Sequence, residues 1–578
     1  MPIPPTISDL IQRFDDNRAA YQAAAYNEAQ VRQEFINPLF EALGWDVTNK
    51  QGRSEKYKAV IHEDTLRTRR GTKAPDYAFR IGGQRVFFVE AKKPSVNVKA
   101  DEHPAYQLRR YAWSAKLPLS ILTDFEEFAV YDCRDRPVRS DSAATARVMY
   151  FTYHDYPQRW DEIAGIFSPE AIYSGALDRY VDSTKTKRGT AEVDAAFLAE
   201  IEGWRDALAR NLALRNPGLT VRQLNFAVQK TIDRLIFLRI AEDRGIEPYG
   251  RLRDTVQARD VYAHLGEVFR QADNRYDAGL FYFHAEKERE GGLDDFTLDL
   301  RVDDKVFKDI VESLYYPASP YQFDMLPADI LGQVYEQFLG KVIRLTAGGR
   351  AKVEEKPEVK KAGGVYYTPT YIVDYIVEHT VGELLKDKTY RQVKGSVRVA
   401  PLRILDPACG SGTFLLQAYQ YLLDWYLEQY VAEDAELHAR GERLVRDRSG
   451  DWRLTSEERK EILLRHIYGV DIDTQAVEVT KLSLLLKVLE GEDEESLGGT
   501  QLAMSIAGQE RVLPDLSANI RCGNSLIGSD YYQGEQLAMD FADEETMYRI
   551  NAFDWDGPEG FPTAMAAGGF DAVIGNPP

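Results

Sequence analysis

Apolar residues recur at Val31, Phe35, Leu39 and Leu43, one face of a helix spanning Asn27 to Leu43, and Gly44 stands where that helix stops. From Pro75 to Ala91, strand-like positions flank Gly82-Gly83 and predict two strands joined by a two-residue turn. Leu119-Ser120-Ile121-Leu122 and Phe128-Ala129-Val130-Tyr131 predict two more strands, so residues 18–150 alternate helix and strand. Helical spacing dominates from 190 to 345, for example over Asn225 to Glu242 and Pro327 to Ile343. Lys352 to Lys361 is charged and reads as an exposed linker. Near Gly363 short apolar strands begin to alternate with helices, and the charged stretch Glu428 to Lys460 interrupts them as a solvated helical insertion.

A chain of 578 residues is too long for one core and predicts three or four domains. No apolar run is long enough to span a bilayer, which predicts no membrane partner and a cytoplasmic protein. Cys133, Cys409 and Cys522 lie far apart and form no metal-ligand spacing. The net charge of −20 excludes a wholly basic nucleic-acid coat but not a local binding cleft. Between Lys50 and Lys116, basic residues outnumber acidic ones about two to one.

Arg403-Ile404-Leu405-Asp406-Pro407-Ala408-Cys409-Gly410-Ser411-Gly412-Thr413 reads as strand, glycine loop and helix. Gly410 and Gly412 let the backbone approach a ligand at a strand's carboxyl end. The loop lacks the Gly-Lys-Ser/Thr ending of a phosphate-binding loop, which argues against a nucleoside triphosphate. Asp406 is placed to orient the cationic end of S-adenosylmethionine. Asp471, at the end of the strand read over Ile467 to Asp473, is placed to accept ribose hydroxyls, with Ile472 against the adenine face. Asn524 follows a third strand, within reach of the adenine edge, and Asn576-Pro577-Pro578 follows a fourth, Phe570 to Gly575. Any one of these is ordinarily a capping Asp or a turn Asn; four at successive strand ends are not.

On the other arm of the chain, Asp76 and Glu90-Ala91-Lys92 flank the Gly82-Gly83 turn. A strict two-residue turn sets Asp76 opposite Val89, so a bulge is needed to bring both acids to one face. Glu90 and Lys92 share a face because strand side chains alternate; Phe87, Val89 and Ala91 point the other way, into apolar packing. Asp76 and Glu90, with Glu28 from the preceding helix, are candidate Mg²⁺ ligands, and Lys92 a candidate group for orienting or helping to deprotonate the attacking water. A Pro-Asp…Glu-x-Lys pattern alone is more often a surface hairpin with a routine salt bridge. Glu28, the local basic composition, and Gln107 and Tyr111 one helical turn apart shift that balance.

From Gly364 to Pro578 the chain resembles gamma-order adenine-N6 DNA methyltransferases, through Asp-Pro-Ala-Cys-Gly-Ser-Gly, Asn-Pro-Pro, and Gly364-Val365-Tyr366-Tyr367-Thr368-Pro369 with the helix Tyr371 to Val381. The resemblance implies that Tyr367, Thr368, Pro369, Asp406, Pro407, Ala408, Gly410, Gly412, Asp471, Ile472 and Asn524 bind S-adenosylmethionine. It implies that Asn576, Pro577 and Pro578 hold a flipped target base, with Asn576 also facing the cofactor. Asn524 stands where many relatives carry Asp, and the aromatic residue of the base-holding motif is not in the chain, which predicts a chain truncated there and lacking a target recognition domain. With Phe35-Ile36-Asn37-Pro38-Leu39 and Leu43-Gly44-Trp45-Asp46, the N-terminal region resembles the PD-(D/E)xK nuclease of type I and fused type IIG restriction–modification enzymes, implying that Gln107 and Tyr111 position phosphate or DNA. The helical segments Arg234 to Gly245 and Leu331 to Leu339 resemble the type IIG connector.

The expectation is therefore a multidomain α/β protein: a restriction-endonuclease-like α/β/α domain at 1–185, a helical connector at 186–350, and an incomplete Rossmann-like methyltransferase domain at 351–578. It would cut double-stranded DNA with Mg²⁺ and methylate adenine N6 in the intact protein. The competing readings are a methyltransferase with a non-cutting N-terminal domain and a non-catalytic binding scaffold.

Overall fold

The computed structural model describes residues 3–53, 58–62, 75–183, 193–276, 279–284, 293–326, 340–356, 368–396, 398–446, 450, 452–492, 497, 512–532 and 550–576. The chain divides into two compact units. One is built mainly on Met1–Ala196 and Tyr315–Leu326, the other on Phe197–Leu314, Pro327–Asp447 and Trp452–Pro578.

The first unit holds a six-stranded sheet in sequential order: β1 (Val60–His62), β2 (Tyr77–Ile81), β3 (Gln84–Ala91), β4 (Leu119–Thr123), β5 (Glu127–Asp132) and β6 (Arg147–Thr152). All neighbours are antiparallel except β3 and β4, which are parallel and joined through the helix Glu102–Ser114. Apolar clusters cover both faces. Phe87, Val89 and Ala91 enter one with Phe35, Leu39 and Phe40, as the alternation predicts; Phe88 enters the other with Leu108 and Tyr111 of the covering helix. β1 and β6 were not anticipated from sequence.

The helix expected over Asn27 to Leu43 is three joined segments: Glu28–Val31, a wider π turn at Arg32–Ile36, and Asn37–Ala42. Asn27 caps it, accepting a hydrogen bond from Gln30 N while the Gln30 side chain accepts from Asn27 N. Gly44 ends it at φ +98, a backbone that favours glycine.

In the second unit the helix Val221–Asp243 is buried along most of its length. It packs in the same unit as Thr474–Val488 and is tied to it by the Lys230–Glu478 ion pair and by Arg244 Nη1 donating to Leu486 O at 2.7 Å. β7 (Lys341–Leu345) and β8 (Ala351–Glu355) form an antiparallel hairpin. This corrects two expectations: Lys341 to Ile343 is strand rather than helix, and Lys352 to Glu355 is strand rather than linker. The hairpin buries Ile343 but leaves most of its other side chains partly or fully exposed, so its charged sequence imitates a linker. Residues 327–339 and 357–361 lie outside the described residues.

The remaining strands are β9 (Ile404–Asp406), β10 (Leu444–Arg446), β11 (Trp452–Leu454), β12 (Ile467–Asp471), β13 (Ile520–Cys522) and β14 (Ala572–Val573). The stretch Glu428 to Lys460 is likewise no separate helical insertion. The helix that starts at Thr413 runs to Arg440, the β10–β11 hairpin comes next, and Ser456–His466 leads into β12. Tyr430 and His438 in that stretch are buried. β13, β12, β9 and β14 form a parallel sheet in that order. Chain order reverses direction between β9 and β14, the crevice where open α/β sheets bind ligands at their carboxyl ends. The helix expected over Tyr371 to Val381 is Thr370–Val377 continued by a π turn, Glu378–Gly382.

Candidate functional sites

The β2–β3 hairpin pairs Tyr77 with Val89 and Ala78 with Phe88, with a register shift between Phe79 and Arg80. That irregularity supplies the extra step a strict two-residue turn lacks, and carries Asp76 to the level of Glu90. Both carboxylates are buried. Asp76 Oδ2 accepts from Ala91 N at 2.8 Å, locking it to the neighbouring strand end. Glu90 Oε1 accepts from Lys92 Nζ at 2.7 Å and from Gln107 Nε2 at 3.4 Å, and Gln107 Nε2 lies 3.1 Å from the Tyr111 hydroxyl. Glu28 reaches the cluster through Lys92, at 3.7 Å. The structure thus gathers Asp76, Glu90, Lys92, Glu28, Gln107 and Tyr111.

Burial and then the charge of Asp76 raise the Glu90 carboxyl to about 7, despite Lys92 beside it. Burial pulls Lys92 down, but Glu90 and Asp76 outweigh it and hold the ammonium above its ordinary value. Glu90 Oε2 is buried with no hydrogen-bond partner among the described residues. An orphaned oxygen in a mutually repelling pair of acids fits a small divalent cation. No three His, Cys, Asp or Glu side chains form a metal cage among the described residues. Two carboxylates suffice for an ion that keeps several waters, with Glu28 at the edge rather than in the pair.

Sequence reasoning missed Arg32. Its Nη1 lies 3.1 Å from Asp76 Oδ1. The signal was available: Arg32 is four residues after Glu28, hence on the same helical face.

In the parallel sheet, Asp406 ends β9 and is buried, with Oδ1 accepting from Ala408 N at 3.1 Å. Burial raises its carboxyl to about 7, with Asp471 adding to the rise and the Ala408 amide opposing it. Asp471 ends β12; its Oδ2 accepts from Gly410 N and its Oδ1 from Asp473 N, both at 2.8 Å. The acid of one strand end therefore clamps the glycine loop of the next. Gly412 has φ +84, and a Cβ there would meet Thr480 at 2.9 Å. At Gly410 a Cβ would meet nothing within 4 Å, so the loop faces open space. Thr480, also missed, donates to Gly410 O at 2.9 Å. Pro407 and Ala408 form the turn between Asp406 and that loop, and Ile472 is half exposed beside Asp471.

Asn524 Oδ1 accepts from Leu526 N at 3.1 Å, so this oxygen closes its own turn. Asn576 Nδ2 donates to Thr368 Oγ1 at 3.1 Å, joining residues 208 apart in sequence. Pro369 starts the helix that follows Thr368. Gly575 passes so close to Asp406 that a Cβ would lie 2.6 Å from its Oδ1. Asp406, the 407–412 loop, Asp471, Thr368 and Asn576 thus surround the carboxyl ends of β9, β12 and β14. Tyr367, Pro577 and Pro578 lie outside the described residues.

Three family models match the chain: the type I restriction enzyme R protein N terminus over residues 25–139, N-6 DNA methylase over 327–512, and the Eco57I restriction-modification methylase over 465–578. The type II restriction enzyme and methyltransferase RM.Eco57I of Escherichia coli is 34% identical over 98% of this chain and 52% of its own length. A putative type II restriction enzyme and methyltransferase of Methanocaldococcus jannaschii, RM.MjaORFECS2P, is 27% identical over 51% of this chain and 27% of its own length. Among solved structures, a cryoEM structure of a DrdV–DNA complex is similar over 94% of this chain and 42% of that one, with 14% identity and a TM-score of 0.30. The chain spans about half the length of the Eco57I protein it matches. Restriction-type and methylase models thus match successive parts of one polypeptide, and a type II restriction enzyme and methyltransferase is similar to it along nearly all of its length.

Proposed function

We propose that this protein cleaves double-stranded DNA with Mg²⁺ at the Asp76–Glu90–Lys92 cluster and uses S-adenosylmethionine to methylate adenine N6 at the crevice of β9, β12 and β14. Residues 1–185 would form the nuclease, 186–350 the connector and 351–578 the methyltransferase part. The observation that carries this reading is the pairing of two buried acids, Asp76 and Glu90, at one end of a hairpin with Lys92 bonded to the second.

Mg²⁺ would supply Lewis-acid activation of the phosphate and of an attacking water. Asp76 and Glu90 would hold it, Asp76 being fixed through the Ala91 amide. Lys92 stays protonated between two acids, so it serves as a charged donor that positions water and phosphate and stabilises the developing negative charge, not as the base. Gln107 orients Glu90, and Tyr111 in turn meets Gln107.

In the second site S-adenosylmethionine would supply the electrophilic methyl group. The Asp471-clamped loop offers its backbone to the cofactor, with Asp406 near the cationic end. Asn576 is anchored to Thr368 through its amide nitrogen and presents its oxygen as an acceptor for an adenine amino hydrogen. Accepting that hydrogen localises the nitrogen lone pair for attack.

Incubation of supercoiled plasmid with the protein and Mg²⁺ tests the first reaction, and calorimetry with S-adenosylmethionine the cofactor site. Nicking or linearisation lost on chelation, and saturable cofactor binding, are expected. A wild-type protein that leaves plasmid intact with Mg²⁺, both with and without S-adenosylmethionine, removes the nuclease reading.

A further inference from the structure

Arg32 lies inside the acid cluster of the first unit, with its side chain largely buried. Its guanidinium sits 3.1 Å from Asp76 Oδ1, while Asp76 Oδ2 is bonded to the Ala91 amide at 2.8 Å. The side of Asp76 not committed to the strand is thus the side Arg32 holds. Glu90 Oε2, the other oxygen a cation would use, has no partner among the described residues. The two carboxylates are therefore unlike: each has a built-in cation, but Asp76 has both oxygens bonded, whereas Glu90, paired with Lys92 through Oε1, keeps Oε2 orphaned. Arg32 is also the first residue of the π turn Arg32–Ile36, a widening of the helix that is frequent at functional sites.

We propose that Arg32 is a gatekeeping counter-charge that competes with a divalent cation for Asp76 and is handed to a DNA phosphate when that cation enters. This rests on the nuclease reading above. A guanidinium and a divalent cation on one carboxylate repel each other across a few ångströms of partly buried protein, so either weakens the other. Once displaced, the guanidinium stays one helical turn from Glu28, which contacts Lys92. A phosphate diester entering there offers the planar, bidentate partner that a guanidinium prefers. Cation and DNA would then assist each other: the phosphate removes the cation's competitor, and the cation frees the phosphate's clamp. Such coupling is reciprocal between the two ligands.

The test is a titration of Mn²⁺, followed by electron paramagnetic resonance, into wild-type protein, Arg32→Ala, Arg32→Lys and Asp76→Asn, with and without duplex DNA. Without DNA, Arg32→Ala should bind Mn²⁺ about tenfold more tightly than wild type, Arg32→Lys between the two, and Asp76→Asn more weakly. DNA should tighten Mn²⁺ binding several-fold in wild type and much less in Arg32→Ala. Unchanged or weaker binding by a folded Arg32→Ala would show that Arg32 merely braces Asp76 and would overturn the proposal while leaving the nuclease reading intact. Should Arg32→Ala fail to fold, Arg32→Lys carries the same comparison. If wild type binds no Mn²⁺ that Asp76→Asn alters, the nuclease reading falls and this proposal with it.

Discussion

The hairpin bearing Asp76 and Glu90 and the sheet bearing Asp406, Asp471 and Asn576 both hold chemistry at strand ends, but by opposite means. In the hairpin the groups proposed to react are side chains, and those of Asp76 and Glu90 come from its two arms, whose cross-link, Ala91 N to Asp76 Oδ2, joins residues only 15 apart in sequence. Burial, and then the charge of Asp76, pushes Glu90 to about 7, and one of its oxygens is orphaned. In the parallel sheet the acids mostly hold backbone: Asp471 holds the amides of Gly410 and Asp473, and Asp406 that of Ala408. There the loop is the proposed binding element and the acids shape it. On the proposed function, the hairpin would keep one carboxylate oxygen, Glu90 Oε2, open for a cation, while the acids of the sheet would spend theirs on shaping a loop for a cofactor.

The largest effect expected from this contrast is at Asp76. Asp76→Asn should lower plasmid cleavage by about a thousandfold or more while cofactor affinity, measured by calorimetry, stays at the wild-type value. A matched loss of both would erase the distinction between the two regions. Next comes Asp471→Ala, which releases the Gly410 amide of the glycine loop and the Asp473 amide beside it. Cofactor affinity should fall by about ten- to a hundredfold, since each charge-assisted hydrogen bond is worth about 1.5–3 kcal/mol, and cofactor titration reads it. Smaller is Gly412→Val: a branched side chain at φ +84 must push on Thr480, so thermal unfolding should show about 1–3 kcal/mol of destabilisation.

The smallest effect is a pH dependence. An acid whose folded pKa lies above its unfolded one binds its proton more tightly when folded, so stability falls as pH rises from the unfolded pKa through the folded pKa. For Glu90 that window runs from 4.5 to about 7. In chelator, Glu90→Gln should gain melting temperature relative to wild type as pH rises through that window, and the difference should level off above it. A constant difference from pH 4 to 8 would mean that Glu90 is not strained by its burial beside Asp76.

Much of both sites was legible because each rests on local rules. Strand alternation put Glu90 and Lys92 on one face, and the count across Gly82-Gly83 showed that a bulge was required; the shift at Phe79 and Arg80 supplies it. The glycine loop and its flanking acids could be read because they lie at strand ends. The rest depended on distance or on ambiguous surface. The contact of Thr368 with Asn576 leaves no local trace beyond the residue types themselves. The β7–β8 hairpin hid because, with Ile343 its one buried side chain, it offers no apolar face to give a period. A strand as short as β1 carries too few positions for alternation to stand out, and the π turn at Arg32 keeps the apolar spacing of an ordinary helix.

The central claim is that one chain carries two chemically distinct sites, each assembled within its own unit. Parallel measurement of Mg²⁺-dependent plasmid cleavage and S-adenosylmethionine affinity in Glu90→Gln tests it most directly. The account predicts loss of cleavage with cofactor affinity unchanged from wild type. Cleavage at the wild-type rate by Glu90→Gln would contradict it.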